Sequence, residues 1–202
     1  MPDGGLDVIL TSYNILGEDK LARLASLMRR VSMTVAADNP VTVAGLPKAA
    51  AMAERPLDVV VECDTGRKRA GVETPGEAVE LARQIAGSPG LRFAGFLMYP
   101  PEDGWPATQT FLDIATAGLN DAGLEARIVS TGGTPNLVNV GKLKGATEHR
   151  AGTSIFNDRM QMAAGVASLE DCALLVYSTV VSRAAAERGI LDAGSKTLTT
   201  DI

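Results

Sequence analysis

A glycine loop in the second half of the chain has the residue types of an anion-binding site. A β-branched run leads through Thr131 into Gly132 and Gly133, and Thr134 and Pro135 follow. Thr134 is a favourable N-cap residue, and Pro135 suits the first helical position. Because glycines carry no side chain, backbone N–H groups at such a helix start can converge on one anion. The loop predicts a bound phosphate group, and a tight strand-to-helix turn without a ligand fits the same residues equally well.

A basic loop over residues 62–72 follows an apolar run that has no polar face, as in buried parallel strands. Three consecutive cations occupy positions 67–69. An arginine guanidinium is planar and always charged, so it binds a carboxylate or a phenolate well. We expect Asp64 to orient such an arginine. A solvated basic loop is the alternative interpretation.

Two more segments end predicted strands with polar side chains. Tyr99 follows an apolar run at 93–98. Arg150 ends a weaker predicted strand at 147–150, and Gly152 and Thr153 follow it. In a (β/α) barrel the carboxyl ends of the strands form one catalytic rim, which would bring these residues together. Taken singly, Tyr99 fits a packing role as well.

The elements that would position these residues alternate between short apolar runs and helical periodicity. About six β units are predicted, and each but the last is followed by a helix. Such alternation predicts an α/β fold with a parallel sheet. A complete (β/α)8 TIM-type barrel needs about 250 residues, so 202 residues predict a partial barrel. An open doubly wound sheet is the alternative, although no Gly-x-Gly-x-x-Gly follows the first strand.

The last part of the chain has a different pattern. A long β-rich run at 172–183 is followed by a turn and a second short run at 189–194, with no helix between them. We interpret the pair as a hairpin that begins a β-rich C-terminal domain, because a lone hairpin is only marginally stable. The predicted domains are 1–168 and 169–202.

Composition narrows the class of protein. Hydrophobic residues make up 46% of the chain, charged residues 21%, and the net charge is −5, which argues against nucleic acid or an anionic membrane as partner. There is no run of about 18 apolar residues, and the first five residues lack a signal-peptide core. Cys63 and Cys172 show no metal-binding spacing. We therefore expect a cytoplasmic, reduced protein.

Four motifs follow one another along the chain, at 64–72, 130–135, 147–158, and 178–183 with 192–196. The first resembles the Asp-x-Gly-x-x-Arg-x-Gly segment of the fold-type III pyridoxal-phosphate enzymes, the alanine racemase superfamily. The others resemble segments of the branch that contains D-threonine aldolase and D-serine dehydratase. The resemblance covers nearly the whole chain.

The resemblance implies a cofactor, pyridoxal 5′-phosphate, and roles for particular residues. Arg69 matches the arginine near the phenolic oxygen, and Tyr99 matches a strand-end tyrosine of the pocket; these two are the expected catalytic residues. Arg150 matches the residue that faces the pyridine nitrogen. The phosphate is expected at a set of loop residues: Thr131, Gly132, Gly133, Thr134, Gly152 and Thr153.

Two family features are missing from the 202 residues. The lysine that forms the Schiff base lies in a Pro-His-x-Lys-Thr-His segment before the phosphate loop, and no such segment is present. The divalent-metal site of the branch uses a His-x-Asp or His-x-Cys pair, whereas His149 is the only histidine. We therefore expect the chain to be the middle of a longer enzyme, homodimeric when complete.

The implied function is that of a lyase. We expect retro-aldol cleavage of β-hydroxy-D-amino acids, because the run at 96–101 is closer to the aldolases than to the dehydratases. The resemblance also implies that the longer enzyme requires a divalent metal (Mn, Mg or Zn). A D-serine dehydratase-like ammonia-lyase, a non-catalytic pyridoxal-phosphate carrier and an unrelated phosphate-binding barrel are the alternatives. The residues that separate aldolase from dehydratase are not in this chain.

Overall fold

The computed structural model describes residues 2–194. Contacts divide the chain into two compact units, Met1–Gly152 and Thr153–Ile202. The predicted domain boundary between residues 168 and 169 stays a prediction. None of the helices within residues 2–194 is long and apolar enough to cross a membrane.

The first unit is built on one parallel sheet whose six strands are hydrogen-bonded in chain order. This order is that of a (β/α) barrel segment, because a doubly wound sheet reverses its strand order near the middle. The predicted partial barrel is confirmed. The strands are β1 Val8–Thr11, β2 Ser32–Ala37, β3 Leu57–Cys63, β4 Leu91–Met98, β5 Ile128–Gly132 and β6 Glu148–Arg150.

Helices connect the first five strands. They are α1 Glu18–Met28, α2 Pro40–Ala53, α3 Pro75–Gly87 and α4 Trp105–Asp121. Elsewhere, 3-10 helices span Pro2–Gly4 before β1, Thr134–Lys142 after β5 and Gly152–Ile155 after β6. The helix predicted after β5 is thus a 3-10 helix. The prediction of Thr134 as its N-cap is wrong: Gly133 is the N-cap, with a φ of 104°. Glycine adopts this conformation without the steric cost that a threonine would bear.

Both faces of the sheet are buried. On the outer face each helix contributes a fully covered side chain, Leu24, Leu46, Ile85 and Leu119 from α1 to α4. On the inner face Ala36, Val60, Ala94 and Leu97 form a second cluster. The two-sided burial predicted for β3 is confirmed, since all three valines at 59–61 are fully buried. This packing fixes the carboxyl ends of the strands, where the candidate residues lie.

The second unit contains α5 Arg159–Ala163, a 3-10 helix at Leu169–Asp171, and the strands β7 Val180–Ala185 and β8 Arg188–Leu191. β7 and β8 pair antiparallel, so the predicted hairpin is confirmed. The prediction that the first strand begins at Cys172 is wrong, because residues 172–179 form no strand. Leu174 and Tyr177 in this run are 77% and 96% exposed, and apolar sequence alone does not make a strand without a partner. The motif at 192–196 extends beyond the described residues.

Candidate active site

Three of the predicted residues, Arg69, Tyr99 and Arg150, meet in a small pocket at the carboxyl ends of the strands. Its lining comes from the ends of β3, β4 and β6 and from the connections after β1, β3 and β4: Ser12, Glu62, Cys63, Asp64, Arg67, Arg69, Ala70, Leu97, Tyr99 and Arg150. A larger groove of about 1170 Å³ runs along the outer side of α4. We place the site in the smaller pocket because it contains three arginines at the rim where barrel chemistry occurs.

The basic loop is folded by its own aspartate. The Asp64 carboxylate accepts hydrogen bonds from the backbone N–H of Gly66 at 2.9 Å and of Arg69 at 3.1 Å. The loop then returns to the sheet, where the Asp64 N–H donates to the Val72 carbonyl at 2.9 Å. At Gly71, with a φ of 118°, a Cβ would lie 2.5 Å from the Asp64 nitrogen. Asp64 therefore orients Arg69 through the backbone N–H of that arginine.

Arg69 presents its guanidinium to two tyrosines. Its Nη2 donates to the Tyr13 hydroxyl at 2.6 Å, and its guanidinium carbon lies 5.7 Å from the Tyr13 ring and 5.9 Å from the Tyr99 ring. Within residues 2–194, no carboxylate forms an ion pair with Arg69. Its charge is therefore available to an anionic ligand. The neighbouring Lys68 is exposed and has no hydrogen bond or ion pair in the described part of the chain.

Tyr99 is held between a cation and the glycine loop. The guanidinium carbon of Arg67 lies 4.3 Å from its ring centre. Arg67 also donates to the Pro100 carbonyl at 3.1 Å and to the Glu102 carboxylate at 2.9 Å, and this hydrogen bond lowers the pKa of Glu102. On the other side, a Cβ on Gly133 would lie 2.2 Å from the ring. The tyrosine ring thus forms one wall of the pocket and packs directly on the loop.

Glu62 is a half-buried acid in this basic setting. Burial raises the pKa of its carboxyl, and the charge of Asp38 adds to this, whereas Arg69 and Arg150 oppose it. Burial also lowers the pKa of Arg150, against the charges of Glu148 and Glu62. Both shifts arise because strand-end charges are partly removed from water. The Glu62 carboxylate has no hydrogen bond or ion pair within residues 2–194, so its two oxygens are available to a ligand.

Arg150 is fixed beneath the glycine loop. Its guanidinium donates to the Ser130 hydroxyl and, at 3.1 Å, to the Met98 carbonyl. The Ser130 hydroxyl in turn donates to the Glu148 carboxylate at 2.6 Å. A Cβ on Gly132 would lie 2.7 Å from Nη2 of Arg150, so a side chain there would displace the guanidinium. The two hydrogen bonds engage two of the five N–H donors and hold the guanidinium in place.

The glycine loop is connected to β6 and to the end of β4. The Gly133 N–H donates to the Arg150 carbonyl at 3.0 Å, and the Gly133 carbonyl accepts from the Asn136 N–H at 2.9 Å. Fully buried Asn136 donates from Nδ2 to the Pro100 carbonyl at 2.8 Å and has no partner for its Oδ1. The Gly133 N–H is thus already engaged, and the phosphate contact predicted for it stays a prediction.

The remaining predicted residues are placed as follows. Thr131 is fully buried and Thr134 is 4% exposed, both within the first unit. Gly152 ends that unit, and Thr153 belongs to the second. The roles expected for these residues stay predictions. In the described part of the chain, no group of three or more His, Cys, Asp or Glu side chains could hold a metal ion.

Tyr13, Glu62 and Arg67 were not singled out by the sequence, although each contacts or lines the pocket. Tyr13 follows the carboxyl end of β1, as Tyr99 follows that of β4. The rule that located Tyr99 would have found Tyr13 as well. The stacking of Arg67 on Tyr99 joins residues 32 positions apart and has no signal in the local sequence.

Comparison with known proteins gives a consistent assignment. The family described as "Alanine racemase, N-terminal domain" matches residues 10–160. D-threonine aldolase of Arthrobacter sp. is 30% identical over 211 residues, which cover 98% of this chain and 55% of that protein. D-threo-3-hydroxyaspartate dehydratase of Delftia sp. (strain HT23) is 33% identical over 159 residues, 72% of this chain and 42% of that protein. The chain spans about half the length of the curated relatives it matches.

Solved structures support the same assignment. The crystal structure of D-threonine aldolase from Filomicrobium marinum superimposes with a TM-score of 0.82 at 28% identity, covering 96% of this chain and 56% of that one. The family match covers all six parallel strands except the first two residues of β1. It also covers the basic loop and the glycine loop. This chain therefore belongs to the alanine racemase N-terminal domain family.

Proposed function

We propose that this chain is the cofactor-binding part of a pyridoxal-phosphate-dependent lyase that cleaves β-hydroxy-D-amino acids, as a D-threonine aldolase does. The observation that carries the proposal is the meeting of Arg69, Tyr99 and the glycine loop at the ends of β3, β4 and β5. Relatives named as aldolases and dehydratases support the reaction class. The D-amino acid substrate, the divalent cation and the homodimer belong to the proposal.

The residues present fit pyridoxal phosphate. A Cβ at Gly132 would lie 2.7 Å from Arg150 and one at Gly133 2.2 Å from the Tyr99 ring, so two pocket residues pack directly on the backbone of the glycine loop. Arg69 offers a guanidinium without a carboxylate partner to the phenolic oxygen, and Arg150 offers a fixed positive charge to the ring nitrogen. When bound, the cofactor supplies an electron sink for the bond that breaks next to Cα.

The chain's own residues would position the ligand and compensate its negative charge. Arg69 is held by Tyr13 on one side and faces Tyr99 on the other, so its guanidinium has a defined position. The Tyr99 ring, backed by Arg67, closes the pocket next to the glycine loop. Glu62 offers acceptor oxygens in the same pocket, where the charges of Arg69 and Arg150 favour its ionised form. This arrangement would bind an anionic planar ligand and limit its rotation.

The proposed reaction on D-threonine gives glycine and acetaldehyde. The Cα–Cβ bond breaks, the β-hydroxyl loses its proton, and Cα gains one, so no other reactant is needed. Dehydration is the second candidate, favoured by the 33% identity to the Delftia dehydratase. Dehydration of D-serine would instead give pyruvate and ammonia.

A substrate panel tests the proposed function. The holoenzyme is assayed with D-threonine, D-serine and D-alanine in the presence of Mn²⁺, and products are identified chromatographically. We expect glycine and acetaldehyde from D-threonine and no racemisation of alanine. If D-serine gives pyruvate and D-threonine gives no product, the enzyme is a dehydratase and the aldolase assignment is wrong. Racemisation of alanine with no product from either hydroxy amino acid would contradict the lyase assignment.

Tyr13→Phe should weaken the site through Arg69. The substitution removes the 2.6 Å hydrogen bond from the guanidinium but keeps the aromatic ring. A hydrogen bond to a charged group contributes about 1.5–3 kcal/mol, so we expect kcat/KM to fall roughly tenfold or more. Met33→Leu, a buried change on the neighbouring strand, is the control and should stay near wild type. Unchanged kinetics in Tyr13→Phe would show that Arg69 does not depend on this contact.

A further inference from the structure

His149, the only histidine of the chain, contacts the glycine loop through both ring nitrogens. Its Nδ1 lies 2.8 Å from the Thr131 hydroxyl, and its Nε2 lies 3.1 Å from the Gly133 carbonyl. A carbonyl can only accept, so the hydrogen-bond network assigns the hydrogen to Nε2. The Thr131 hydroxyl has two acceptors in reach, the Glu148 carbonyl at 3.3 Å and Nδ1 at 2.8 Å, and with the hydrogen on Nε2 it donates to the nearer Nδ1. One imidazole thus joins the residues on either side of Gly132.

Gly133 is held at both ends of its backbone by neighbouring residues of β6. Its carbonyl accepts from His149, and its N–H donates to the Arg150 carbonyl at 3.0 Å. The β5–β6 register, which pairs Thr131 with His149 and Gly132 with Arg150, makes both contacts possible. Together these bonds restrict the rotation of the peptide groups before and after Gly133.

This restraint adds to those from Asn136, whose N–H donates to the Gly133 carbonyl at 2.9 Å and whose Nδ2 donates to the Gly132 carbonyl at 3.3 Å. The 3-10 helix begins after Gly133 without a side-chain hydrogen bond from its N-cap. Glycines lose more conformational freedom on ordering than any other residue, so an unrestrained Gly132–Gly133 pair would have to be ordered by the ligand. A loop ordered in advance binds more tightly because that entropy has already been lost.

We propose that His149 is a positioning residue that preorganises the glycine loop for the phosphate group of its ligand. The proposal rests on the proposed function, which makes that ligand a phosphate ester. Both nitrogens are engaged with the loop, so the imidazole acts through Thr131 and Gly133 and does not itself bind the phosphate.

The test compares two ligands that differ only in the phosphate. Pyridoxine 5′-phosphate and pyridoxine are titrated into the 202-residue chain by calorimetry, and neither requires a lysine because neither has an aldehyde. We expect His149→Leu to weaken pyridoxine 5′-phosphate about tenfold and to leave pyridoxine unchanged. His149→Gln, whose amide can still donate to the Gly133 carbonyl, should recover most of the loss. Lys142→Leu, an exposed change at the end of the same 3-10 helix, should have little effect on either ligand.

The outcomes separate this inference from the proposed function. If wild type prefers the phosphate ester and His149→Leu keeps that preference, the inference is wrong and the proposed function stands. Equal weakening of both ligands by His149→Leu would indicate a general structural role and also overturn the inference. If wild type binds the two ligands equally, the loop is not a phosphate site and both fail. A ¹⁵N NMR spectrum of the single histidine should show the Nε2–H tautomer; a rapidly exchanging mixture of tautomers would contradict the assigned contacts.

Discussion

Arg69→Ala is expected to lower kcat/KM of the holoenzyme by about 10- to 100-fold, whereas Lys68→Ala is expected to leave it within about twofold. Arg69 lines the pocket and lacks a carboxylate partner within residues 2–194, so its charge is free to bind a ligand anion. Loss of a charge-assisted hydrogen bond costs about 1.5–3 kcal/mol, and each 1.4 kcal/mol is about a factor of ten in rate.

Lys68 is the matched control for charge. It is the adjacent cation on the same loop, but it does not line the pocket and has no partner in the described part of the chain. Steady-state kinetics with D-threonine measure both variants. Equal losses for the two would mean that general positive charge, and not the position of Arg69, supports activity.

Gly95→Ala is expected to destabilise the first unit by about 3 kcal/mol or more, because backbone strain and overpacking each cost about 1–3 kcal/mol. Gly95 has a φ of 145°, and a Cβ there would lie 1.9 Å from the carbonyl oxygen of Ile128 on the neighbouring strand. The β3–β4 register shifts at this point, pairing Val59 with Phe93 and Val60 with Gly95. β4 therefore cannot keep its register next to β5 with a side chain at position 95.

Gly76→Ala is the control for Gly95→Ala. Gly76 lies in the first turn of α3, and a Cβ there would meet nothing within 4 Å. Alanine is the better helix former, so this variant should be neutral or more stable by up to about 1 kcal/mol. Urea unfolding followed by circular dichroism gives both values. Similar midpoints for the two variants would show that the contact at Gly95 is relaxed in solution.

The strands could be predicted because buried strands have short apolar runs in the local sequence. The valine run at 59–61 has no polar face and lies in a sheet covered on both sides, as expected. The start of α2 also has a local cause, because Asn39 is a good N-cap and its Oδ1 accepts from the Thr42 N–H at 2.9 Å. The apolar run at 172–183 was misjudged at its beginning, because strand formation depends on a partner that a local pattern does not specify.

The site was predictable in its strand-end positions but not in its contacts. Arg69 and Tyr99 were identified because they follow strands of a parallel sheet. The hydrogen bond from Arg69 to Tyr13 joins residues 56 positions apart, and only the parallel order of β1 to β3 brings them together. The two contacts of His149 likewise depend on the register of β5 and β6. Sequence spacing specifies neither.

A crystal structure of the protein grown with pyridoxine 5′-phosphate would locate the ligand directly. We expect the phosphate against the backbone of the glycine loop, the phenolic oxygen of the ring next to Arg69, and the ring beside Tyr99. A ligand bound in the groove along α4, or a phosphate bound away from residues 131–134, would contradict this expectation.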